Sequence, residues 1–406
     1  TIEALEVKIG TYTFDGDTPA GARKAVRNAG HIIVTNPDML HAGILPHHTI
    51  WIRLFENLEF VVIDEVHHYR GVFGSHLANV VRRLKRICAF YGSSPRFICC
   101  SATIANPKEM AERIIEAPVR LVDRNGAPRG EKHFLFFNPP VVNHELGIRA
   151  SSVKQAARIA AGLLSRDVQS IVFARSRLRV EILTTYLKEA VRRMGKPDAL
   201  VRGYRGGYLP TERREIERGL RAGEVMAVVS TNALELGIDI GALDACVMAG
   251  YAGSVASTWQ QSGRAGRRSA VSLVVLVASS APLDQYIIGH PEYFFEQPCE
   301  NGTLDPNNLV ILASHIKCAA FELPFAEGEA FGVDAVSTAH LLDYLAECRV
   351  LRKVRGKWHW SAETYPASDI SLRTAAPGNV VILDVTDNGR VIGEVDYFAA
   401  PVEVYQ

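Results

Sequence analysis

The sequence contains no C-x-x-C pair: its seven cysteines (Cys88, Cys99, Cys100, Cys246, Cys299, Cys318 and Cys348) have neither zinc-site nor disulfide-framework spacing. A reducing, cytoplasmic setting is therefore expected. No apolar run approaches the ~18–20 residues that a bilayer span needs, and no signal peptide is read at the start, so no membrane partner is expected. Charge of one sign is also missing, since 45 basic side chains face 44 acidic ones. A polycationic surface is excluded, and any nucleic-acid contact must come from local patches. The 13 histidines form no ligand set; His47-His48 and His67-His68 are adjacent pairs without a nearby cysteine. What is present is 48 % apolar residues over 406 positions, which excludes disorder. At roughly 100–200 residues per domain, two to four domains are expected.

Three blocks follow from the patterning. The first, residues 1–121, has short apolar runs at 31–34, 60–63 and 97–100 that read as buried parallel strands, with an amphipathic helix over 75–90. Residues 122–140 read as a linker, broken by Asn125-Gly126, Pro128 and Pro139-Pro140. The second block, 141–289, predicts helices over 152–164 and 177–193 and strands over 170–173, 225–230, 245–248 and 273–277. Such alternation indicates an α/β layer fold. The third block, 290–406, predicts helices over 308–321 and 338–348, then hairpins turning at Arg355-Gly356 and Asp387-Asn388-Gly389. Helices followed by a basic hairpin suggest a winged-helix module leading into a β-rich segment.

Four segments carry candidate chemistry, three of them at strand ends. Val61-Val62-Ile63-Asp64-Glu65-Val66-His67 delivers two carboxylates and a histidine to the edge of an α/β sheet where ligands sit. Asp64 is suited to hold Mg²⁺ through water, and Glu65 to orient and deprotonate a water attacking a γ-phosphate. Taken alone, the pair is equally a solvated acidic turn. Ser101-Ala102-Thr103 follows the next strand; its hydroxyls suit contact with the His67 region, although an N-cap explains them as well. Thr231 opens a run in which its hydroxyl suits a backbone phosphate, Gly237 admits close main-chain approach and Asp239 suits a ribose hydroxyl. An ordinary strand-to-helix connection is the alternative. The most specific signal is Gln260-Gln261-Ser262-Gly263-Arg264-Ala265-Gly266-Arg267-Arg268. Arg264 and Arg267, three apart, are expected on one face of a helix, where their guanidinium groups suit charge on phosphoryl oxygens. On the expected wing, Arg349, Arg352, Lys353, Arg355 and Lys357 read either as phosphate contacts or as a solvated hairpin, and Trp358 and Trp360 as its packing.

Together, Asp64-Glu65-Val66-His67, Ser101-Ala102-Thr103, the run from Thr231 to Asp239, and Gln260 to Arg267 resemble motifs II, III, V and VI of superfamily 2 helicases. Thr35-Asn36-Pro37-Asp38-Met39 is similar to motif Ib, and Ile171-Val172-Phe173-Ala174-Arg175-Ser176-Arg177 to motif IV. Asp15-Gly16-Asp17-Thr18, Tyr69-Arg70-Gly71-Val72-Phe73-Gly74-Ser75-His76 and Tyr204-Arg205-Gly206-Gly207-Tyr208 resemble the mitomycin-repair-factor-A branch, related to the RecQ-like Hrq helicases. The resemblance implies tandem RecA-like domains with ATP and Mg²⁺ between them, the first domain truncated, then a winged helix. It implies movement along single-stranded or forked DNA in DNA repair. Asp64 and Glu65 would form the Mg²⁺ and water pair, Arg264 and Arg267 the γ-phosphate arginines, and Gln260 the nucleotide sensor, with Ser101 and Thr103 beside the nucleotide. Thr35, Ser176, Arg177 and Thr231 would face the nucleic-acid backbone. An RNA-directed relative and a non-hydrolysing nucleic-acid scaffold are the alternatives, because such motifs contact mostly phosphates.

Two features of that branch are absent from these residues. No G-x-x-x-x-G-K-[ST] occurs, Gly195-Lys196 being followed by Pro197 and Gly356-Lys357 by Trp358, and no four-cysteine zinc segment follows the wing. An internal stretch of a larger helicase is therefore expected, with the phosphate loop ahead of residue 1. Without that loop the β- and γ-phosphates lack their backbone N–H donors and a lysine. The 406 residues alone are predicted to hydrolyse ATP negligibly; phosphate release with and without oligo(dT) measures this, and robust DNA-stimulated turnover contradicts it.

Overall fold

The computed structural model describes residues 9–127, 130–235, 240–241, 243–266, 271–374, 379–384 and 390–396. The chain divides into two compact units, one drawn from Thr1–Ala102, Asn106–Leu121 and Gly302–Gln406, the other from Thr103–Ala105 and Val122–Asn301. No helix among the described residues is long and apolar enough to cross a membrane.

In the first unit, β1 (Thr11–Phe14) pairs in parallel with β2 (Ile32–Thr35) across α1 (Ala20–Ala29). A three-residue turn, α2 (Pro37–Met39), leads through irregular helical turns to α3 (Ile52–Glu56). Then β3 (Phe60–Ile63) pairs in parallel with β4 (Arg96–Cys99) across α4 (Gly71–Phe90), and α5 (Pro107–Ile115) follows. Helix α4 forms because Leu77, Val80, Val81, Leu84, Ile87 and Cys88 recur at three- and four-residue steps with no proline, and it buries that stripe. The strands of this unit are not buried on both faces, as the sequence reading expected. Ile63 points into the core while Val34 and Val62 remain 53 % and 62 % exposed. Alternate residues face opposite sides of a strand, so continuous apolar runs did not distinguish one covered face from two.

The second unit departs from the expected boundaries at its start. Within the stretch read as a linker, Lys132–Phe137 forms β5, because Phe134 and Phe136 alternate inward onto Trp259 and Phe294. A small antiparallel pair, β6 (Val141–Asn143) and β7 (Ile148–Arg149), precedes α6 (Ser152–Leu164). Then come β8 (Ser170–Ala174), α7 (Arg177–Arg193), β9 (Val201–Tyr204), α8 (Pro210–Ala222), β10 (Ala227–Ser230), β11 (Ala245–Ala249), α9 (Val255–Ser262) and β12 (Ser272–Val277). Helices α10 (Pro282–Gly289) and α11 (Pro291–Glu296) close the unit. The sheet is wholly parallel in the order β5-β12-β11-β8-β10-β9, with one apolar layer on each face. Strand order reverses around β8, which marks the carboxyl ends of β8, β10 and β11 as the place for a ligand.

The winged helix belongs to the first unit. Helices α12 (Leu309–Glu322) and α13 (Ala335–Glu347) pack on a three-stranded sheet of β13 (Phe325–Ala326), β14 (Leu351–Val354) and β15 (Lys357–Trp360). Arg355 and Gly356 both have positive φ, the requirement of a tight hairpin turn. Trp358 lies in that core and donates from Nε1 to Asp343 at 2.9 Å. A second hairpin pairs β16 (Asn379–Asp384) with β17 (Arg390–Asp396).

Helix α12 is joined to α4 through a buried ionic cluster. Arg83 on α4 pairs with Glu322 on α12, both side chains being shielded from solvent. The same guanidinium meets His41 Nδ1 at 2.6 Å and His315 Nδ1 at 3.4 Å, and His315 Nε2 meets His76 Nδ1 at 3.0 Å. Burial holds His41, His76 and His315 below the ordinary imidazole value, His41 at about 3, with Arg83 adding repulsion at His41 and His315. Because these folded-state values are depressed, the unfolded chain takes up protons first as pH falls below about 6.5. Stability present above that pH is therefore lost progressively toward the folded-state values, by up to ~1.4 kcal/mol per pH unit for each histidine. Hydrogen exchange of the α4 amides, corrected for intrinsic rates, is predicted to show easier opening at pH 5.5 than at pH 7.5; an unchanged opening free energy contradicts the cluster's neutrality.

Candidate functional site

In the first unit, pairing of β3 with β4 continues past their ends, with Cys100 N–H donating to Ile63 O and Val66 N–H to Cys100 O, each at 2.9 Å. That continuation sets the Ser101 end beside the acidic strand end. Asp64 is exposed, and its Oδ1 accepts from Glu65 N–H at 2.9 Å. Glu65 has φ of 54°, a left-handed conformation that costs a non-glycine residue about 1–3 kcal/mol. His67 Nδ1 lies 3.3 Å from Glu65 Oε2 and 3.4 Å from Ser101 Oγ. Burial, followed by the charges of His68 and Arg70, lowers its pKa, so the imidazole is neutral at pH 7. An exposed carboxylate beside a second, partly shielded one supplies the hard oxygen donors that Mg²⁺ takes, with room for its waters. Thr35 ends β2 and donates its hydroxyl to Phe14 O at 2.7 Å, and Asn36 caps the following turn by accepting from Met39 N–H at 2.8 Å.

In the second unit, Ser176 caps α7 by accepting from Arg179 N–H at 3.3 Å, which leaves Arg177 exposed in the first turn. Thr231 accepts from Ala233 N–H at 3.4 Å. Gln260 on α9 donates to Thr103 Oγ1 at 2.9 Å. Helix α9 ends at Ser262, so Arg264 sits in the turn beyond it and not on a helical face three residues from Arg267. The reason is local: Ala265 bridges to Leu243, Gly266 N–H donates to Leu243 O, and Gly266 adopts φ of 119°. Gly237, Asp239 and Arg267 lie outside the described residues. A polar cavity of about 180 Å³ opens at the strand ends, lined by Arg175, Asn232, Glu235, Gly250, Ser257 and Gln261 among others. On the wing, Arg352 and Arg355 are exposed, whereas Lys353 pairs with Glu327 at 3.1 Å and lies 4.2 Å from the Trp358 ring centroid.

Several supporting residues were not singled out as site residues in the sequence. Glu235 is buried; its carboxylate accepts from Gln261 Nε2 at 3.0 Å and its carbonyl from Arg264 Nη2 at 2.8 Å. Asp284, fully buried, accepts from Ser279 N–H, Tyr251 N–H and Arg175 Nη2, tying together the loops after β12, β11 and β8. Glu300 takes the N–H groups of Val255 and Ala256 at 2.7 and 3.0 Å, and Ser254 takes that of Ser257. At the other end of α9, Lys132 Nζ donates to Ser262 O at 2.8 Å. Anion at the amino end and cation at the carboxyl end both match the helix dipole. Only Glu235, an acid within the run that opens at Thr231, was visible beforehand.

Three family models match the chain: a DEAD/DEAH box helicase domain over residues 2–110, a helicase conserved C-terminal domain over 154–269, and the winged helix domain of ATP-dependent helicase HRQ1 over 304–375. These, with the parallel second sheet and the winged helix, define a superfamily 2 helicase with tandem RecA-like domains. The chain belongs to the Hrq/MrfA-like branch of that family. It is 58 % identical to the uncharacterized ATP-dependent helicase YprA of Bacillus subtilis, covering 98 % of this chain and 53 % of that protein. Against ATP-dependent helicase HRQ1 of Saccharomyces cerevisiae, identity is 38 % over 94 % of this chain and 36 % of the relative. A crystal structure of the DUF1998 helicase MrfA bound to DNA and AMPPNP superposes with a TM-score of 0.88 at 58 % identity, over 98 % of this chain and 56 % of that one. The chain thus spans about half the length or less of these relatives.

Replacing Glu300 with alanine is predicted to uncap α9 at a cost of ~1 kcal/mol, lowering protection of its first-turn amides about fivefold in hydrogen exchange. Unaltered protection contradicts the capping role.

Proposed function

We propose that these residues form the motor portion of an ATP-dependent DNA helicase or translocase that moves along single-stranded or forked DNA in DNA repair. The observation that carries this reading is the acidic strand end, where Asp64 and Glu65 stand side by side with His67 against Glu65 and Ser101. ATP and Mg²⁺, when bound, supply the scissile phosphoanhydride and neutralise charge on its oxygens. Asp64 would hold the metal, through water. Glu65 orients the attacking water and accepts its proton, with neutral His67 fixing the carboxylate. Arg264, held by the Glu235 carbonyl, offers cationic charge to the γ-phosphate, and Arg267 shares that role. Gln260, hydrogen-bonded to Thr103, senses the nucleotide. Thr35, Ser176, Arg177, Thr231, Arg352 and Arg355 contact the nucleic-acid backbone. Lys353 belongs with them at most weakly, because its ammonium is already paired within the wing. Structures of MrfA bound to DNA support DNA as the partner.

Hydrolysis needs a glycine-rich phosphate loop, which residues 1–406 do not contain, so the test uses a polypeptide carrying both. Glu65→Gln is predicted to lower DNA-stimulated hydrolysis by about 10²–10⁴-fold, with oligo(dT) affinity unchanged. Retained hydrolysis overturns the assignment, and absence of hydrolysis in the unaltered protein favours a scaffold. Preferential unwinding of an RNA duplex over a matched DNA duplex would redirect the substrate. Arg352→Ala is predicted to weaken DNA binding and to reduce the salt slope by ~1; an unchanged slope assigns the wing to solvent.

A further inference from the structure

The branch-specific Tyr69-Arg70-Gly71-Val72-Phe73 stretch has no role in the reading above, yet it lies directly after the acidic pair. His68, Tyr69 and Phe73 pack as an aromatic triad, with Tyr69 and Phe73 centroids 5.2 Å apart and His68 edge-on to Phe73 at 5.8 Å. Tyr69 N–H donates to Val66 O at 3.0 Å, which ties the triad to the backbone of the acidic turn. On the far side, the Arg373 guanidinium sits 4.9 Å from the Phe73 centroid. The same group forms a two-pronged pair with Asp38, at 2.7 and 2.9 Å. Asp38 lies in α2, the turn that follows Thr35.

Arg373 arrives from beyond the wing, and that segment grips the neighbouring backbone at further points. Tyr365 Oη donates to Ala42 O at 2.6 Å and stacks on His47, His41 Nε2 meets Ala367 O at 3.1 Å, and Leu372 is buried in the core beside Phe14 and Trp51. Helix α2 is only three residues long, is capped by Asn36 and runs into a π-helical turn, so few α-helical hydrogen bonds of its own fix its direction. Side-chain contacts add to them. A forked pair with cation–π support suits this, since it sets orientation even where exposure makes it a small contributor to folding.

We propose that Arg373 is a positioning residue that locks the Asp38 turn onto the Tyr69–Phe73 stack, so that the nucleic-acid contact at Thr35 and the Asp64–Glu65 strand end are joined through one side-chain bridge. The winged-helix module thereby takes part in coupling within the first unit, through its own last residues beyond the β14–β15 hairpin. This rests on the reading of Thr35 as a nucleic-acid contact and of Asp64 and Glu65 as the hydrolytic pair.

The test is ATP hydrolysis at increasing oligo(dT) in a polypeptide that carries these residues and a phosphate loop. Arg373→Ala is expected to raise the half-stimulating oligo(dT) concentration about fivefold, with hydrolysis in the absence of DNA changed less than twofold. Asp38→Asn should give the same shift, and the double variant no more than the larger single effect, because both remove one interaction. An unchanged half-stimulating concentration in Arg373→Ala, an equal loss of DNA-free hydrolysis, or additive effects in the double variant overturns the bridge. Thr35→Ala separates the two levels of the argument. If it leaves DNA stimulation intact, the nucleic-acid reading of that strand end has failed and the bridge falls with it; if it weakens stimulation while Arg373→Ala does not, the bridge alone has failed.

Discussion

The buried pair between Arg83 and Glu322 is the constraint on which the first unit depends. Two charges taken out of water repay their desolvation only when every remaining donor and acceptor is matched, and removing one partner of such a pair typically costs about 3–5 kcal/mol. Here the matching is nearly complete. The guanidinium also reaches His41 Nδ1, the His41 main-chain carbonyl and His315 Nδ1. The consequence is architectural, because the pair joins a helix of the first RecA-like lobe to a helix that begins more than 200 residues later. The winged helix is thereby part of this lobe's core, with Leu323 and Leu372 packed among Phe14, Trp51 and Leu84.

That attachment gives meaning to the way functional groups are held. Both units place their motifs beyond the carboxyl ends of parallel strands, where backbone groups are no longer committed to the ladder and side chains converge. Loops of this kind have little structure of their own, and in each unit charged residues from distant segments supply it. Asp284 gathers three loops of the second unit, Glu300 and Lys132 hold opposite ends of α9, and Arg373 holds the turn after Thr35. In every case a full charge meets a helix end, a loop amide or an opposite charge, which are stronger tethers than neutral hydrogen bonds.

The sequence made legible those features that repeat or cluster locally. Helix α6 and helix α7 fall at the residues their periodicity indicates, and strand β8 differs by one residue. The Asp64–Glu65, Ser101 and Gln260–Arg264 signals were readable because each is a dense run after an apolar strand. What escaped was non-local. Lys132 was hidden in a stretch whose glycine and prolines spoke for a linker, although Phe134 and Phe136 already alternated as a strand. Glu300, Asp284 and Arg373 carry no signature at all, since a single charge becomes a tether only when a partner tens or hundreds of residues away is brought to it. The helical placement of Arg264 failed for a different reason: spacing alone could not reveal that Ala265 would pair with Leu243 and stop the helix at Ser262.

The same logic explains how unusual backbone is held at these ends. Glu65 holds a left-handed backbone that most side chains avoid, while Gly266, at φ of 119° beside Arg264, adopts a conformation open to a residue without a Cβ. The Glu65 conformation would not persist in a free loop. At Glu65 the turn is fixed from both sides, Val66 N–H donating to Cys100 O and His68 N–H to Glu65 O, so relaxing φ would break hydrogen bonds worth about as much as the strain itself. At Gly266 the fixing partner is Leu243, whose carbonyl accepts the glycine N–H and whose own N–H donates to Arg264 O. The carboxylate in one unit and the guanidinium in the other therefore owe their direction to main-chain bonds from a neighbouring segment. Substitutions in those neighbours would redirect both side chains, the two groups that the proposed function assigns to the γ-phosphate.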